Sequence, residues 1–95
     1  MSGELQQRFE EAAKRIAAWK PAAKDPSDEE KLLIYALFKQ STVGDCNTPK
    51  PGLLDFTGRR KHGAWEKQKG KDKIAAMEAY IAEVERQIST YGTKA

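Results

Sequence analysis

The sequence predicts an all-α protein of four helices that forms one domain over residues 1–95. Two observations carry this prediction. Apolar residues recur at spacings of three and four in successive stretches, which is typical of amphipathic helices. Capping and turn residues stand at the ends of these stretches. We find neither the alternation that indicates strands nor an internal repeat, and a chain of this length is large enough for one modest core.

The second helix is predicted to be the centre of the fold. Ser27 and Glu30 form a capping box, in which each side chain reaches the backbone amide of the other residue. Pro26 stands just before this box, where no helical hydrogen bond is lost. The helix then runs to about Thr42 and is apolar most of the way round. A helix of this kind is buried on several sides.

The other three helices are predicted from apolar spacing and turn residues. The first carries a narrow, alanine-rich stripe that ends near Trp19 and consists of Leu5, Phe9, Ala12, Ala13 and Ile16. The third opens at Thr57 or Gly58 and ends at Gly70, and Gly63 inside it costs up to about 1 kcal/mol. The fourth is capped by Asp72, ends before Gly92 and carries the stripe Ile74, Met77, Ile81, Val84, Ile88 and Tyr91.

The connection between the second and third helices is long, at roughly 14 residues. It is rich in turn formers, and Leu53, Leu54 and Phe56 are predicted to anchor it to the core. A helix of about 16 residues is ~24 Å long, whereas ~14 extended residues reach ~46 Å. The chain can therefore travel back along the second helix. We expect the third helix to run parallel to the second.

Composition narrows the classes of protein to which the chain can belong. No apolar run approaches the ~20 residues that span a bilayer, and the first residues lack the pattern of a secretion signal. Cys46 is the only cysteine, which fits a reducing, cytoplasmic compartment. The formal net charge of +3 mildly favours an anionic partner.

The chain carries no recognisable catalytic motif. His62 and Cys46 are single copies without metal-ligand spacing, a nucleophile elbow or a phosphate-cradling glycine loop nearby. His62 is interpreted as a helix-surface residue and Cys46 as a loop residue. We predict no enzymatic activity, no catalytic residue, no metal site and no cofactor.

One face of the second helix is unusual for pure packing. Tyr35, Phe38 and Lys39 lie at i, i+3 and i+4, so two rings and an ammonium group share that face. This combination favours a ligand with a flat ring and a negative charge. Lys61 is expected at the rim above Trp65, one helical turn away.

Each of these features also has a structural interpretation. Trp65, Met77 and Tyr91 are most simply core residues. Tyr80 falls at the edge of the last apolar stripe, as a boundary tyrosine would. Arg59-Arg60-Lys61 is either a solvated face or a weak nucleic-acid patch. Acidic residues are interspersed with the basic ones, so nucleic-acid binding is disfavoured.

A family resemblance follows from several of these segments. The stretch Pro26–Gly44 is similar to the signature of the acyl-CoA-binding protein family. The similarity continues through Gly44-Asp45-Cys46-Asn47-Thr48, Pro51-Gly52-Leu53-Leu54-Asp55-Phe56, Trp65 and Tyr80-Ile81. It covers the chain from about Phe9 to Tyr91. The resemblance implies a single acyl-CoA-binding domain and a four-helix bundle with an up-down-down-up course.

The resemblance also implies roles for individual residues. Tyr35, Phe38 and Lys39 match positions that meet the adenine and the 3′-phosphate of CoA, and Lys61 matches a lysine on the same phosphate. Tyr80 matches a tyrosine that reaches the CoA head group. The positions that correspond to residues near the acyl chain are Phe9, Ala12, Ala13 and Leu32.

The sequence departs from the family pattern at a few positions. Phe38 keeps a ring but lacks the hydroxyl that is common there, and Lys31 replaces a usually apolar residue beside the acyl channel. The loop before Pro26 is about three residues longer than usual. Ala17 stands where a basic residue is often found, so that contact is absent or comes from Lys14, Arg15 or Lys20.

The leading functional hypothesis is a non-enzymatic, cytoplasmic, monomeric carrier that buffers and transports medium- to long-chain fatty acyl-CoA esters. It predicts no nucleic-acid partner and no stable membrane insertion. A rival hypothesis is a helical interaction module whose groove takes a partner helix. A third, an acyl-CoA hydrolase, lacks a candidate nucleophile pair.

Overall fold

The computed structural model describes residues 2–95 and contains four α-helices. They are α1 (Ser2–Ala18), α2 (Asp28–Thr42), α3 (Phe56–Glu66) and α4 (Lys73–Tyr91). Within this described part no strand is present, and the only extended pairing is an isolated antiparallel bridge between Pro21 and Thr93. The predicted all-α class with four helices is confirmed.

The capping box of α2 forms as predicted. The Ser27 hydroxyl accepts a hydrogen bond from the Glu30 amide at 3.1 Å, and the Glu30 carboxylate accepts one from the Ser27 amide at 2.7 Å. Two of the amides that a helix start leaves without partners are thereby satisfied. The helix ends at Thr42, also as predicted.

Asp side chains cap the two later helices. Asp72 accepts from the Ala75 amide at 2.8 Å at the start of α4, as the sequence predicted. Asp55 accepts from the Gly58 amide at 2.9 Å, so α3 begins at Phe56 rather than at Thr57 or Gly58. The prediction missed this cap. Helix α3 ends at Glu66, and a run of turns follows it up to Gly70.

The helices lie in the order α1, α4, α2, α3, with each packed on the next. Contacts between them fix their directions. Phe9 packs on Tyr80 while Trp19 bonds to Gly92, so α1 and α4 are parallel. Helix α2 is antiparallel to α4, because its start contacts Gln87 and its end contacts Lys71.

Helix α3 runs parallel to α2. The start of α2 meets α3 through Asp28 and Arg60, and its last turn meets α3 through Lys39 and Trp65. The predicted up-down-down-up course is therefore confirmed, and the long crossover carries the chain back along α2.

The main core lies where α4 meets α1 and α2. Its buried members are Phe9, Ala12, Leu37, Met77, Tyr80, Ile81, Val84 and Ile88. Ile74 belongs to the predicted stripe but is 58% exposed, because it stands in the first turn of α4, at the end of the bundle. Tyr91 is half-buried, with its hydroxyl donating to Glu30 rather than lying in the core.

Hydrogen bonds hold the start of the crossover against α2 and against the connection between α3 and α4. The Gln40 amide donates to Asp45 at 2.8 Å and to the Lys71 carbonyl at 2.7 Å. Asp45 also accepts from the Gly70 amide at 2.9 Å. These bonds hold the pKa of the Asp45 carboxyl below its usual value. The bond from the Gly70 amide has the larger effect, and the bond from Gln40 has the next largest.

The later part of the crossover differs from the prediction. Leu53, Leu54 and Phe56 were expected to anchor it, but they are 77%, 87% and 69% exposed. The Gly52 carbonyl accepts from the Asp55 amide at 3.1 Å, which closes a turn with the two leucines at its tip. This turn directs the apolar side chains away from the core, so the prediction of anchors was wrong.

Among residues 2–95 no helix is both long and apolar enough to cross a membrane.

Candidate functional site: a cleft between α2 and α3

A cleft of about 240 Å³ opens between α2, α3 and the crossover. Helix α2 contributes residues one turn apart, and α3 contributes residues from its first three turns. The lining residues are Tyr35, Lys39, Thr48, Pro51, Gly58, Lys61, His62 and Trp65. Three residues that sequence reasoning singled out on different helices, Tyr35, Lys39 and Lys61, therefore share one cavity.

The two lysines of the cleft each lie over an aromatic ring of the opposite helix. Lys61 Nζ of α3 is 5.3 Å from the centre of the Tyr35 ring, and Lys39 Nζ of α2 is 5.0 Å from the Trp65 ring. The sequence placed Lys61 above Trp65 on its own helix, whereas the structure pairs the residues crosswise. Such cation–π contacts orient both ammonium groups at the cleft.

Neither ammonium group has a carboxylate within 4 Å among residues 3–95. Two cations that line one cavity without an acidic partner favour an anion there. Charge-assisted hydrogen bonds from lysine to phosphate are shorter and stronger than neutral ones. The cleft can therefore accept a phosphate beside two aromatic faces.

Trp65 forms one wall of this cleft. It is 3% exposed, as predicted for a core residue, and its indole N–H donates to the Gly44 carbonyl at 2.8 Å. Sequence reasoning missed its second role as a lining residue. The available signal was the spacing of Lys61 and Trp65, which puts the ring on the side of α3 that faces the predicted ligand.

His62 is buried rather than on the helix surface. It is 7% exposed, because the crossover covers it, and its Nε2 lies 2.9 Å from the Thr48 carbonyl oxygen. Nδ1 has no hydrogen-bond partner in the described chain and lies 3.9 Å from a Glu66 carboxylate oxygen. The surface interpretation was wrong, since helical spacing does not show that a long loop returns over that face.

Phe38 lies in a second group of aromatic residues, formed with Phe9 and Tyr80, and none of these three residues lines the cleft. Its ring stacks on Phe9 of α1 at 5.6 Å and tilts against Tyr80 of α4 at 5.8 Å. Phe9 and Tyr80 are 4.9 Å apart. Phe38 is 37% exposed, so one side of this three-ring group remains open to solvent.

Tyr80 is more deeply buried than a boundary residue. It is 2% exposed, because Phe9 and Phe38 cover the ring from two helices. This burial raises the pKa of its phenol. The boundary interpretation was wrong, because the edge of the α4 stripe is the place where α1 and α2 approach.

Comparison with known proteins is decisive at this point. A family model described as "Acyl CoA binding protein" matches residues 6–84. An acyl-CoA-binding protein homolog of Drosophila melanogaster is 48% identical over 87 residues, which cover 92% of this chain and 98% of that protein. Acyl-CoA-binding protein homolog 1 of Caenorhabditis elegans is 46% identical over 84 residues, which cover 88% of this chain and 94% of that protein.

The chain belongs to the acyl-CoA-binding protein family. Solved structures of the family share its fold. Acyl-CoA-Binding Protein 2 of Oryza sativa superposes with a TM-score of 0.84 at 38% identity, covering 90% of this chain and 92% of that one. Acyl Coenzyme A Binding Protein from yeast superposes with a TM-score of 0.68 at 44% identity, covering 90% of this chain and 95% of that one.

The family resemblance also named acyl-chain positions, and the structure places them on different surfaces. Phe9 and Ala13 lie on the part of α1 that packs towards the core, and Phe9 touches α2 through Phe38. Leu32 lines a groove between the first turns of α2 and α3. Ala12 instead lines a groove between α1 and α4 with Ile81. The four positions therefore do not form one continuous wall.

Two departures from the family pattern can be located. Ala17 is exposed on α1, as are Lys14 and Arg15, and Lys20 is exposed in the loop that follows α1. Arg15 shares the α1–α4 groove with Ala12, so it points away from the α2–α3 cleft. The alternatives that remain open are that the basic contact is absent or that Lys14 or Lys20 supplies it.

Lys31 forms an ion pair in place of an apolar contact. Its ammonium lies 3.7 Å from Asp25 in the loop before α2, and both side chains are more than half exposed. A pair of this kind contributes about 0–1 kcal/mol to stability. Lys31 also borders an apolar cavity of about 260 Å³ with Ile16, Trp19 and Ile34.

The residues considered for catalysis are held by the crossover. Cys46 lies in the loop, as predicted, with Sγ 3.8 Å from the Thr48 hydroxyl. His62 contacts the carbonyl of the same threonine. Within the described residues no group of three His, Cys, Asp or Glu side chains could hold a metal ion.

Proposed function

We propose that this chain binds fatty acyl-CoA esters reversibly and carries them without chemical change. The observation that carries this proposal is the cleft in which Lys39 and Lys61 lie over Trp65 and Tyr35. The relatives that match the chain over nearly its whole length are named acyl-CoA-binding proteins, which supports the same ligand.

The head group suits the chemistry of the cleft. CoA presents an adenine ring and a phosphate-rich chain. Tyr35 and the exposed part of Phe38 offer rings for stacking or edge-on contact. Lys39 and Lys61 offer ammonium donors to the 3′-phosphate. Tyr80 is also proposed to reach the head group, by analogy with the family, although its ring packs against Phe38 and does not line the cleft.

The acyl chain supplies the rest of the affinity. Withdrawing each CH₂ from water contributes about 0.8 kcal/mol before the costs of association. Phe9 and Ala13 from α1 and Leu32 from α2 are proposed to contact it. Ala12 has the weakest support of the named positions, because it lies in the α1–α4 groove.

Isothermal titration calorimetry with palmitoyl-CoA tests this function. We expect one saturable site that binds at micromolar ligand or below, weaker binding of CoA alone and weaker binding of palmitate alone. Lack of binding by palmitoyl-CoA at micromolar concentration would remove the proposal. Binding of all three ligands with equal affinity would show that the protein does not recognise the CoA head group and the acyl chain of one ligand together.

The carrier role, as opposed to hydrolysis, has its own test. Neither Cys46 nor His62 is placed as a nucleophile pair, since each contacts Thr48 rather than the other. We expect no release of free thiol from palmitoyl-CoA over hours. Catalytic release of CoA thiol would make the protein a hydrolase.

We further propose that the carrier acts as a monomer in the cytoplasm and prefers medium- to long-chain esters. The single cysteine suits a reducing compartment. Analytical ultracentrifugation, subcellular fractionation and a titration series from short to very long acyl-CoA test the three statements in turn.

A further inference from the structure

A second groove, of about 460 Å³, lies between α2 and α3 on a side of the two helices that the cleft does not use. We call it the outer groove. Helix α3 packs on no helix other than α2 in the described chain, so no third helix fills the space beside it. The outer groove is thus an open surface feature of the α2–α3 pair.

The outer groove and the cleft use different faces of α3. The cleft takes Lys61 and Trp65 from this helix, whereas the outer groove takes Gly63 and Lys67. At about 100° per residue, these two pairs lie on nearly opposite sides of α3. A molecule in the outer groove therefore leaves the cleft open to its own ligand.

The floor of the outer groove is apolar and low. Leu33 and Ala64 are half-buried in it, and Ala36 is fully buried beneath it. A Cβ placed on Gly63 would meet nothing within 4 Å. The small residues leave room above the floor for large apolar side chains that come from outside.

Cations stand at both ends of the α3 side of the outer groove. Arg59 and Arg60 lie near the start of α3 and Lys67 follows its end, about 12 Å further along the helix axis. Arg59 and Lys67 have no carboxylate within 4 Å among residues 3–95, and Arg60 has only a long contact of 3.5 Å with Asp28. The acidic lining residue is Glu29, on the α2 side. The border of the groove is therefore mainly positive.

We propose that the outer groove docks an amphipathic helix of a partner protein, whose apolar stripe is bordered by acidic residues two turns apart. A helix of this kind lays apolar side chains at i, i+3, i+4 and i+7 into a groove. Its acidic residues at i and i+7 are ~10.5 Å apart, which matches the separation of Arg59 and Lys67 along α3. An anionic lipid with a single head group fits less well, because its charge meets only one end of the groove.

Titration with a designed peptide, in the absence of acyl-CoA, tests the proposal. The probe is an alanine-rich peptide of about 20 residues, which is long enough to hold helical structure in water. Leucines occupy one face of it, and glutamates two turns apart border that face. One control peptide carries lysine in place of each glutamate, and a second has the same residues reordered so that the leucines do not share a face.

Backbone amide signals of isotope-labelled protein, followed by NMR, report where the peptide binds. We expect saturable shifts at Leu33, Ala36, Gly63 and Ala64 with the acidic amphipathic peptide, and weaker binding at high salt. The two control peptides should leave these signals unchanged. The amides of Lys39 and other cleft residues should shift least.

Two variants change the outer groove in different ways. Gly63→Leu places a side chain in the open space above the floor and raises helix propensity, so the protein should stay folded. Lys67→Glu puts a negative charge against the acidic border of the peptide. Each should raise the Kd of the peptide about tenfold or more. Lys24→Glu, with the same change of charge in the exposed loop before α2, is the matched control and should bind the peptide normally.

Circular dichroism melting verifies that each variant folds. Leu32 and Arg60 are left unchanged, because they also border the groove in which the acyl chain is proposed to lie. Titration of Gly63→Leu and Lys67→Glu with palmitoyl-CoA should give the affinity of the unmodified protein. If both variants lost palmitoyl-CoA as well as the peptide, the outer groove would belong to the acyl-CoA site and the docking proposal would be overturned.

Other results would also overturn the docking proposal. They are the absence of shifts in the outer groove at millimolar peptide, equal binding of the lysine-bearing peptide, and normal peptide binding by Gly63→Leu. Self-association in ultracentrifugation that Gly63→Leu abolishes would make a second copy of this chain the occupant instead. Failure of the unmodified protein to bind palmitoyl-CoA would remove the proposed carrier function but would leave a positive peptide result intact.

Discussion

The positions of Lys39 and Lys61 in the candidate site depend on contacts between α2 and α3. Each belongs to one wall of the cleft, yet each ammonium lies over a ring of the other wall. Their positive charges stand together without carboxylates within 4 Å in the described chain. Mutual repulsion costs little while water screens it, and an anion that enters the cleft removes it.

Lys39→Ala and Lys61→Ala should each weaken binding of palmitoyl-CoA by about 1.5–3 kcal/mol, which is roughly a ten- to hundredfold rise in Kd, because a hydrogen bond to a charged group is lost. The temperature of unfolding should change little, since neither charge satisfies a buried group. Calorimetric titration and thermal melting measure the two effects. Lys67→Ala, an exposed lysine that follows α3, is the control and should bind normally. A lysine variant that melts early but keeps its affinity would make that lysine structural.

Glu30 joins the start of α2 to α4 through one carboxylate. It accepts from the Tyr91 hydroxyl, from the Ser27 amide and from the Arg86 guanidinium. These bonds, with that of Tyr91 the strongest influence, lower the pKa of Glu30 from 4.5 to about 2. The carboxylate form is thus favoured in the folded state relative to the unfolded chain.

The free energy of unfolding should therefore fall as the pH drops from about 4.5 towards 2, since the unfolded chain takes up a proton at Glu30 before the folded one does. Glu30→Gln keeps a side-chain oxygen that can accept from the Ser27 amide, but it removes the negative charge. Urea unfolding at several pH values should show lower stability of this variant at pH 7 and a shallower loss in acid. Glu29→Gln, at the exposed neighbouring position, is the control. An unchanged acid slope in Glu30→Gln would contradict the assignment.

Some residue positions could be predicted and others could not, for a physical reason. Periodicity identifies which face of a helix is apolar, and so Trp65 and Met77 were predicted correctly as buried. Periodicity does not show which loop or helix, distant in sequence, will pack over a polar face. His62 and Tyr80 became buried because the crossover and two neighbouring helices approach them. Contacts of this kind depend on the path of the whole chain.

At the scale of elements, the helix starts were the most predictable features. Ser27 and Asp72 were identified as caps because their hydrogen bonds are local in sequence. The start of α3 was missed by one or two residues, since Asp55 lies among turn formers and apolar residues that were expected to face inward. The loop between α2 and α3 shows that apolar composition alone does not decide burial.

Helix α3 contains two glycines that should respond oppositely to alanine. A Cβ at Gly58 would stand 2.3 Å from Asp55 Oδ2, whereas a Cβ at Gly63 meets nothing within 4 Å. Gly58→Ala displaces the capping carboxylate and should cost about 0.5–2 kcal/mol. Gly63→Ala should stabilise the protein by up to about 1 kcal/mol through higher helix propensity. Thermal or urea unfolding measures both changes. Equal effects of the two substitutions would show that the cap does not limit α3.

At the scale of the whole molecule, the helices form a row rather than a closed bundle. Helices α4 and α2 lie inside the row and α1 and α3 lie outside. In the described chain α3 packs on α2, whereas α1 packs chiefly on α4 and also meets α2 where Phe9 stacks on Phe38. The extents of 41 × 36 × 16 Å describe a flat molecule. The loop length correctly indicated that α2 and α3 are parallel. The sequence could not predict that α1 packs chiefly on α4 rather than on α2, because that depends on which stripes fit together.

This arrangement predicts an order of local stability that the ligand should change. Backbone amides of α2 and α4 should exchange most slowly with solvent, and those of α3 fastest. Helix α3 is the shortest helix, contains two glycines and packs on no other helix than α2. Palmitoyl-CoA at about 100 times its Kd stabilises the folded state by about 2.7 kcal/mol. If Lys39 and Lys61 hold one anion between α2 and α3, as proposed, that stabilisation should slow exchange in α3 more than in α4.

Hydrogen exchange followed by mass spectrometry, with and without ligand, measures this order. Lys61→Ala is the informative comparison, because we expect it to leave α3 folded but to remove the proposed bond between α3 and the anion. In that variant the protection of α3 by ligand should shrink towards the protection seen in the other helices. If the ligand slowed amide exchange equally in all four helices, both in the unmodified protein and in Lys61→Ala, it would stabilise only the fold as a whole. The two walls of the cleft would then not be joined by the anion.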